Sequence, residues 1–278
     1  MTTDTVGIEQ RGDNLLVARV HHDGGRRVVR TLARVRTDDA SLEELSANAR
    51  TVRAVPDTRV IVKSLLVPTG DPAPPKERGA FELATSLPEP EQAFSFDLLP
   101  TARPERWVGL AYRRTTLAEL FGPLADLPDS YRMRAAALAS GWLAYCRSEP
   151  GDLICLAEVG PDGVSVCFIY QKRVISLTSL GAAPDILATE QGCKHLAIEL
   201  RTIANFKLAE LAEQGISVPL AKLILAGSIE DGLMPHFTRL FPTGVVRPRL
   251  NEAFLQDRSQ IGDIAPESFL VALGLTVD

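Results

Sequence analysis

Residues 153–180 read LICLAEVGPDGVSVCFIYQKRVISLTSL. Three runs rich in β-branched and apolar residues, Leu153 to Val159, Val164 to Tyr170 and Arg173 to Leu180, are divided by Gly160-Pro161-Asp162-Gly163 and by Gln171-Lys172. Strand-forming runs joined by such short turns predict an antiparallel three-stranded meander. Beyond it, Cys193, Leu196, Ala197, Leu200, Ile203, Ala204, Leu208 and Leu211 recur at helical spacing, which predicts a long amphipathic helix from about Asp185 to Glu213. A short buried strand at Leu223 to Ala226, a helix from Asp231 to Phe241, a strand at Val245-Val246 and a closing helix from Ala265 complete this half.

Read outward to the N-terminus, the same order recurs. Thr5 to Gln10, Asn14 to Val20 and Arg26 to Val35 predict a second meander, with turns at Arg11-Gly12-Asp13 and His21-His22-Asp23-Gly24-Gly25. Leu42, Leu45 and Ala49 fall on one helical face, and Val60 to Val62 is a strand candidate. Pro68 to Pro75 holds four prolines and a glycine, which excludes regular structure. A helix from Pro75 to about Leu87, strands at Phe94 to Asp97 and Trp107 to Tyr112, a helix from Thr116 to Leu124 and a helix from Ser130 to Cys146 follow. Two halves that repeat one order of elements predict two similar α/β lobes.

Composition narrows the function. The apolar fraction of 45% and charged fraction of 23% are those of a globular protein. A net charge of −5 gives no basic face for phosphate, so nucleic acid is not expected. Cys146, Cys155, Cys167 and Cys193 form no C-x-x-C pair and sit in apolar or helical stretches, which predicts buried free thiols and no zinc. No apolar run of spanning length and no signal peptide is read, so a cytoplasmic protein is expected. P-loop, dinucleotide and nucleophile-elbow motifs are lacking.

Four stretches carry a resemblance: Val6-Gly7-Ile8-Glu9, Leu153 to Gly160, Leu223 to Gly227 with Leu233, and Phe269 to Leu275. With Lys63 to Asp97 between them, the chain resembles the type IV pilus assembly protein PilM family, whose relatives are the type II secretion protein GspL and the division protein FtsA. The chain looks shortened, with essentially one helix between the second meander and the strand at Ile224. The resemblance implies a two-lobed actin-like fold, a duplicated ribonuclease-H-like α/β unit with a small inserted α+β subdomain. It divides the chain into a first lobe at 1–128, with the insert at about 63–103, and a second lobe at 129–278, with a closing helix at 265–275.

In that fold two hairpin turns offer backbone N–H groups to phosphates, and a carboxylate at each strand end holds magnesium through water. The matching positions are Glu9, Gly12 and Asn14 in the first turn, Glu158, Gly160 and Gly163 in the second, and Gly227 in the adenosine turn. All depart from the pattern. Glu158 stands for an Asp, Pro161 removes a donor, and Ala226-Gly227-Ser228 has lost one glycine. Asp13 and Asp162 add negative charge facing the phosphates, at a cost on the order of 1 to 4 kcal/mol per like-charge pair at 4 Å. The reading is therefore a degenerate nucleotide cleft with no cofactor, the alternative being ATP with Mg2+. Glu9 and Glu158 are accordingly expected to be strand-end carboxylates facing a solvated cleft.

The resemblance implies a scaffold of a pilus or secretion inner-membrane platform. It would be cytoplasmic, peripheral to the inner membrane, and would grip a short peptide of a membrane-anchored, PilN-like partner. Carried over by position, the groove lies between about Lys63 to Arg103 and the strand Val28 to Val35. Phe94 and Phe96 are readable as anchors or as core. Arg30, Arg34 and Arg36 have even spacing and predict a basic strand face. Two alternatives stay open: an active actin-like ATPase or small-molecule kinase, and an FtsA-like cytoskeletal protein, against which the lack of an amphipathic tail after Leu275 argues. A homo-oligomer also stays open.

Overall fold

The computed structural model describes residues 3–67, 73–122, 127, 129–146, 152–160, 162–181, 189–227, 229, 232, 234–255 and 265–277. Pro68 to Pro72, Pro161, Asp185, Ser228, Asp231 and Leu233 lie outside the described residues.

The first meander forms as read and runs slightly longer: β1 (Thr3–Arg11), β2 (Asn14–Asp23) and β3 (Arg26–Arg36). The second turn is only Gly24-Gly25, and both glycines have positive φ. His21 belongs to β2, where its Nδ1 lies 2.6 Å from an Asp4 carboxylate oxygen. A short helix α1 (Ser41–Ser46) covers one face, and β4 (Arg50–Val55) then runs parallel to β1.

β5 (Val60–Leu66), β6 (Phe94–Pro100) and β7 (Arg106–Arg113) make a separate antiparallel sheet in the order β5-β7-β6. Helix α2 (Pro75–Thr85), with Pro at its first position, buries Leu83 against this sheet beside Leu65, Phe94 and Leu98. The inserted subdomain therefore spans more than 63–103, because β5 and β7 are its paired centre. Helix α3 (Arg114–Phe121) leads out of it.

The single helix expected from Ser130 to Cys146 is in fact a strand and a helix. β8 (Tyr131–Met133) pairs with β4 and completes the first sheet, in the order β3-β2-β1-β4-β8. The first sheet therefore extends past residue 128. α4 (Arg134–Tyr145) follows β8 directly.

The second half repeats this order. β9 (Leu153–Gly160), β10 (Gly163–Tyr170) and β11 (Arg173–Leu180) form the meander. Helix α5 (Glu190–Glu213) is capped by Thr189, whose hydroxyl oxygen accepts the Gly192 N–H at 3.0 Å. β12 (Leu220–Gly227) runs parallel to β9, α6 (Met234–Leu240) follows, and β13 (Val245–Val246) closes the order β11-β10-β9-β12-β13. The chain ends on α7 (Leu270–Leu275), entered through a 3-10 turn at Pro266–Phe269.

The two sheets face each other across α4 and α7, and the helices are exchanged. α4, which follows the first sheet's last strand, packs on β10 and β11. α7, which ends the second half, packs on β1, β2 and β4. The closing helix thus completes the first lobe's core, not the second's. The helices touch where Gly141 and Gly274 let backbone approach backbone, since a Cβ at Gly274 would overlap the Ala137 carbonyl. α5 and α6 cover the outer face of the second sheet, with Leu200, Leu223 and Phe237 in that core.

Candidate functional site: the cleft between the lobes

β1 and β9 are the equivalent first strands of the two repeats. Each ends in a carboxylate that points into the space between the sheets. Glu9 and Glu158 are both almost fully buried, with 0% and 2% of their surface exposed. Buried carboxylates need a cation or strong donors. Here the chain supplies both from two arginines.

Arg134, the first residue of α4, is 4% exposed. Its Nε donates to Glu9 Oε1 at 2.9 Å, its Nη2 to Glu158 Oε2 at 3.0 Å and its Nη1 to Ser165 Oγ at 3.2 Å. Arg11, the last residue of β1, closes the pair from the other side. Its Nε lies 3.0 Å from Glu9 Oε1 and its Nη2 3.1 Å from Glu9 Oε2, and the same Nη2 also bonds Glu158. Each guanidinium fork therefore spans both lobes, which is the planar, multi-donor geometry at which arginine surpasses lysine.

Asp57 anchors the base of the cluster. Its Oδ1 accepts the Ala135 N–H at 2.8 Å and its Oδ2 accepts from Ser165 Oγ. Burial alone would lower the Arg134 pKa, but the Glu158 and Glu9 charges more than offset it and hold the group firmly protonated. Burial raises Glu158 against the pull of Arg134 and Arg11, and raises Asp57 against its two hydrogen bonds.

The turn glycines have structural roles. Gly160 has no room for a side chain, because a Cβ would overlap both Nη nitrogens of Arg134. Gly227, at φ +85°, abuts the Val159 backbone, so it serves the packing of β12 on β9. Gly12 and Gly163 have positive φ in their turns, and Asn14 pairs with Arg11 across the first hairpin. Asp13 is exposed. Asp162 lines a cavity of about 290 Å³ together with Glu9, Arg53, Phe121 and Arg134.

A magnesium ion held by Glu9 and Glu158 would have to displace both guanidiniums, so the residues present do not fit a metal-bound nucleotide phosphate. Among the described residues, no group of three or more His, Cys, Asp or Glu is arranged to hold a metal ion. The expected solvated setting of Glu9 and Glu158 is wrong, because both are buried and ion-paired, and the sequence did not point to Arg134, Arg11, Asp57 or Ser165 as their partners. One signal was present: Arg134 is the only charge in Arg134–Tyr145. A cation at the positive end of a helix dipole needs a carboxylate nearby.

A second concavity, about 170 Å³, lies between the inserted subdomain and the first sheet. Arg50, Val52 and Tyr131 line it from β4 and β8, and Phe96, Asp97 and Tyr112 from the subdomain. Tyr131 Oη bonds Ser95 Oγ across it at 2.5 Å. Phe94 is core and Phe96 reaches the groove wall. The expected facing strand, Val28 to Val35, is wrong: β3 is the opposite edge of the first sheet, with three strands between it and β8. The expected arginine face is also broken, because a bulge opposite Arg19/Val20 reverses the alternation between Arg30 and the pair Arg34 and Arg36.

The duplicated sheets, the exchanged helices and the carboxylate-lined cleft define a two-lobed actin-like α/β protein with an inserted subdomain. Within that class, the chain is similar over 98% of its length to 97% of a chain in the structure described as the PilM-PilN type IV pilus biogenesis complex, at 18% identity and a TM-score of 0.74. Looser likenesses extend to an actin-like ATPase-fold protein of Bacteroides thetaiotaomicron (10% identity, 88% of this chain and 90% of that one, TM-score 0.48) and to the cytoplasmic domain of EpsL, an inner membrane component of the type II secretion system of Vibrio cholerae (14%, 86% and 94%, TM-score 0.46). No protein-family model matches the chain, and no curated protein matches it significantly.

Proposed function

We propose that the chain is a non-catalytic scaffold of a type IV pilus or type II secretion platform at the inner membrane, and that it works without nucleotide. The observation that carries this reading is the whole-length structural likeness to a chain of the PilM-PilN complex. Its partner is a membrane-anchored, PilN-like protein that offers a short peptide. No described helix is long and apolar enough to cross a membrane, so membrane attachment through such a partner fits.

The groove between β4, β8 and the subdomain is the peptide site. Phe96 and Tyr131 give it apolar walls, Asp97 and Arg50 give it both signs of charge, and it is bounded by hydrogen-bonded strands. Walls already formed before docking lower the entropy lost on binding. Removing α2 is not a clean test, because Leu83 would leave Phe94 and Leu98 bare. The test is therefore the pair Arg50→Glu and Phe96→Ala, checked for folding by circular dichroism. Wild type incubated with host membrane extract should retrieve a single-pass membrane protein, and a synthetic peptide of that protein's cytoplasmic segment should bind. The pair should weaken the peptide by at least about tenfold, or roughly 1.4 kcal/mol. Equal binding by the folded variant moves the site elsewhere. Titration with Mg-ATP tests the nucleotide-free part alone: heat consistent with a Kd below about 10 µM, roughly 7 kcal/mol of binding, overturns it.

A further inference from the structure

We propose that Arg134, backed by Arg11, is a built-in counter-cation that takes the position of the divalent metal in this cleft, so that the chain itself, and no nucleotide, holds the lobes together. This deepens the nucleotide-free part of the reading above. The experiment uses no nucleotide and no partner, so the two can fail separately.

Three features fit the guanidinium. Glu9 and Glu158 come from equivalent strands of the two repeats, and Arg134 bonds one oxygen of each, at 2.9 and 3.0 Å. Ser165 Oγ takes the third donor direction and is itself fixed by Asp57. Gly160 leaves out the Cβ that would overlap the two Nη nitrogens. A magnesium ion demands near-octahedral oxygen ligands at about 2.0–2.1 Å, whereas a guanidinium demands acceptors in its plane at hydrogen-bond distance. The acceptors here are arranged for a guanidinium. Arg11 and Arg134 also cancel the charges of Glu9 and Glu158, while Asp57 is occupied by Ser165 and the Ala135 N–H, which weakens the attraction for a divalent cation. Breaking such a pair by removing one partner is far more damaging than its net worth.

The probe is Mn2+ alone, followed by its electron paramagnetic resonance signal and by thermal unfolding. Wild type should ignore millimolar Mn2+. The double variant Arg11→Gln/Arg134→Ala, with Glu9 and Glu158 released, should bind Mn2+ at least about tenfold more tightly than wild type and melt at a higher temperature when it is present. Adding Glu158→Gln should abolish both effects. A merely structural arginine predicts a loss of stability with no gain of metal. Should the double variant not fold, Gly160→Ala combined with Arg134→Met decides instead. Gly160→Ala should lower the melting temperature of wild type. In the Arg134→Met background, where the side chain is shorter and uncharged, it should do so by less than half as much. The proposal is overturned if wild type binds Mn2+ in a manner lost in Glu158→Gln, if the folded double variant takes none, or if Gly160→Ala costs the same in both backgrounds.

Discussion

Cys146, Cys155, Cys167 and Cys193 are all buried thiols outside any disulfide. Burial pushes the Cys146 and Cys155 thiols up to about 12 and Cys167 well above its ordinary value. Since the thiolate is the reactive form, an alkylating reagent at pH 8 should label none of the four in the folded protein and all four in denaturant. Rapid labelling of one cysteine without unfolding would show that its strand or helix opens locally. The same burial logic made these residues legible in the sequence, because each thiol sits in its own apolar run. Arg134 was not legible as a site residue. Its two carboxylates lie 125 and 24 residues away, and only the fold brings them together. Glu9 and Glu158 were readable as paired positions because each ends the first strand of a meander.

Among the elements, α5 shows where helical spacing suffices. Its 24 residues span about 36 Å at 1.5 Å per residue, and the residues of its apolar stripe pack on the second sheet. Leu200 is fully buried there. Leu200→Asp should unfold the second lobe, because a buried unpaired carboxylate costs several kcal/mol against a total margin of roughly 5 to 15 kcal/mol. An unchanged melting temperature would mean that this face does not pack as described. β4 and β8 show where spacing fails. β4 carries Arg50 and Arg53 among its apolar residues, so its alternation is diluted. β8 is three residues long and runs straight into an alanine-rich helix, so the helical period absorbs it. Both are fixed by pairing with a neighbour, β4 with β1 and β8 with β4, and pairing between distant segments leaves little local trace.

For the whole molecule, the repeated element order was visible because each meander has strong turns, and the order decided the fold class. The exchange of helices was not visible, since α4 and α7 are apolar nearly all round and neither says which sheet it covers. Their contact depends on missing side chains at Gly141 and Gly274. A glycine-to-alanine change inside a helix ordinarily stabilises by about 1 kcal/mol. Gly274→Ala should do the reverse and cost on the order of 1 to 3 kcal/mol, the range for overpacked cores. Thermal unfolding checks the sign, and a higher melting temperature would show that the two helices stand further apart.

That exchange also sets an order on biosynthesis. β1, β2 and β4 leave the ribosome early, yet the helix that covers them, α7, is made far later. The first sheet therefore waits, with Ala18, Val20 and Val52 uncovered, until some two hundred further residues have been translated, a delay of roughly 10 to 40 seconds at 5 to 20 residues per second. A nascent chain arrested before Ala265 should remain open to protease within 3–55 and bind chaperones that hold apolar strands, and release past α7 should end both together.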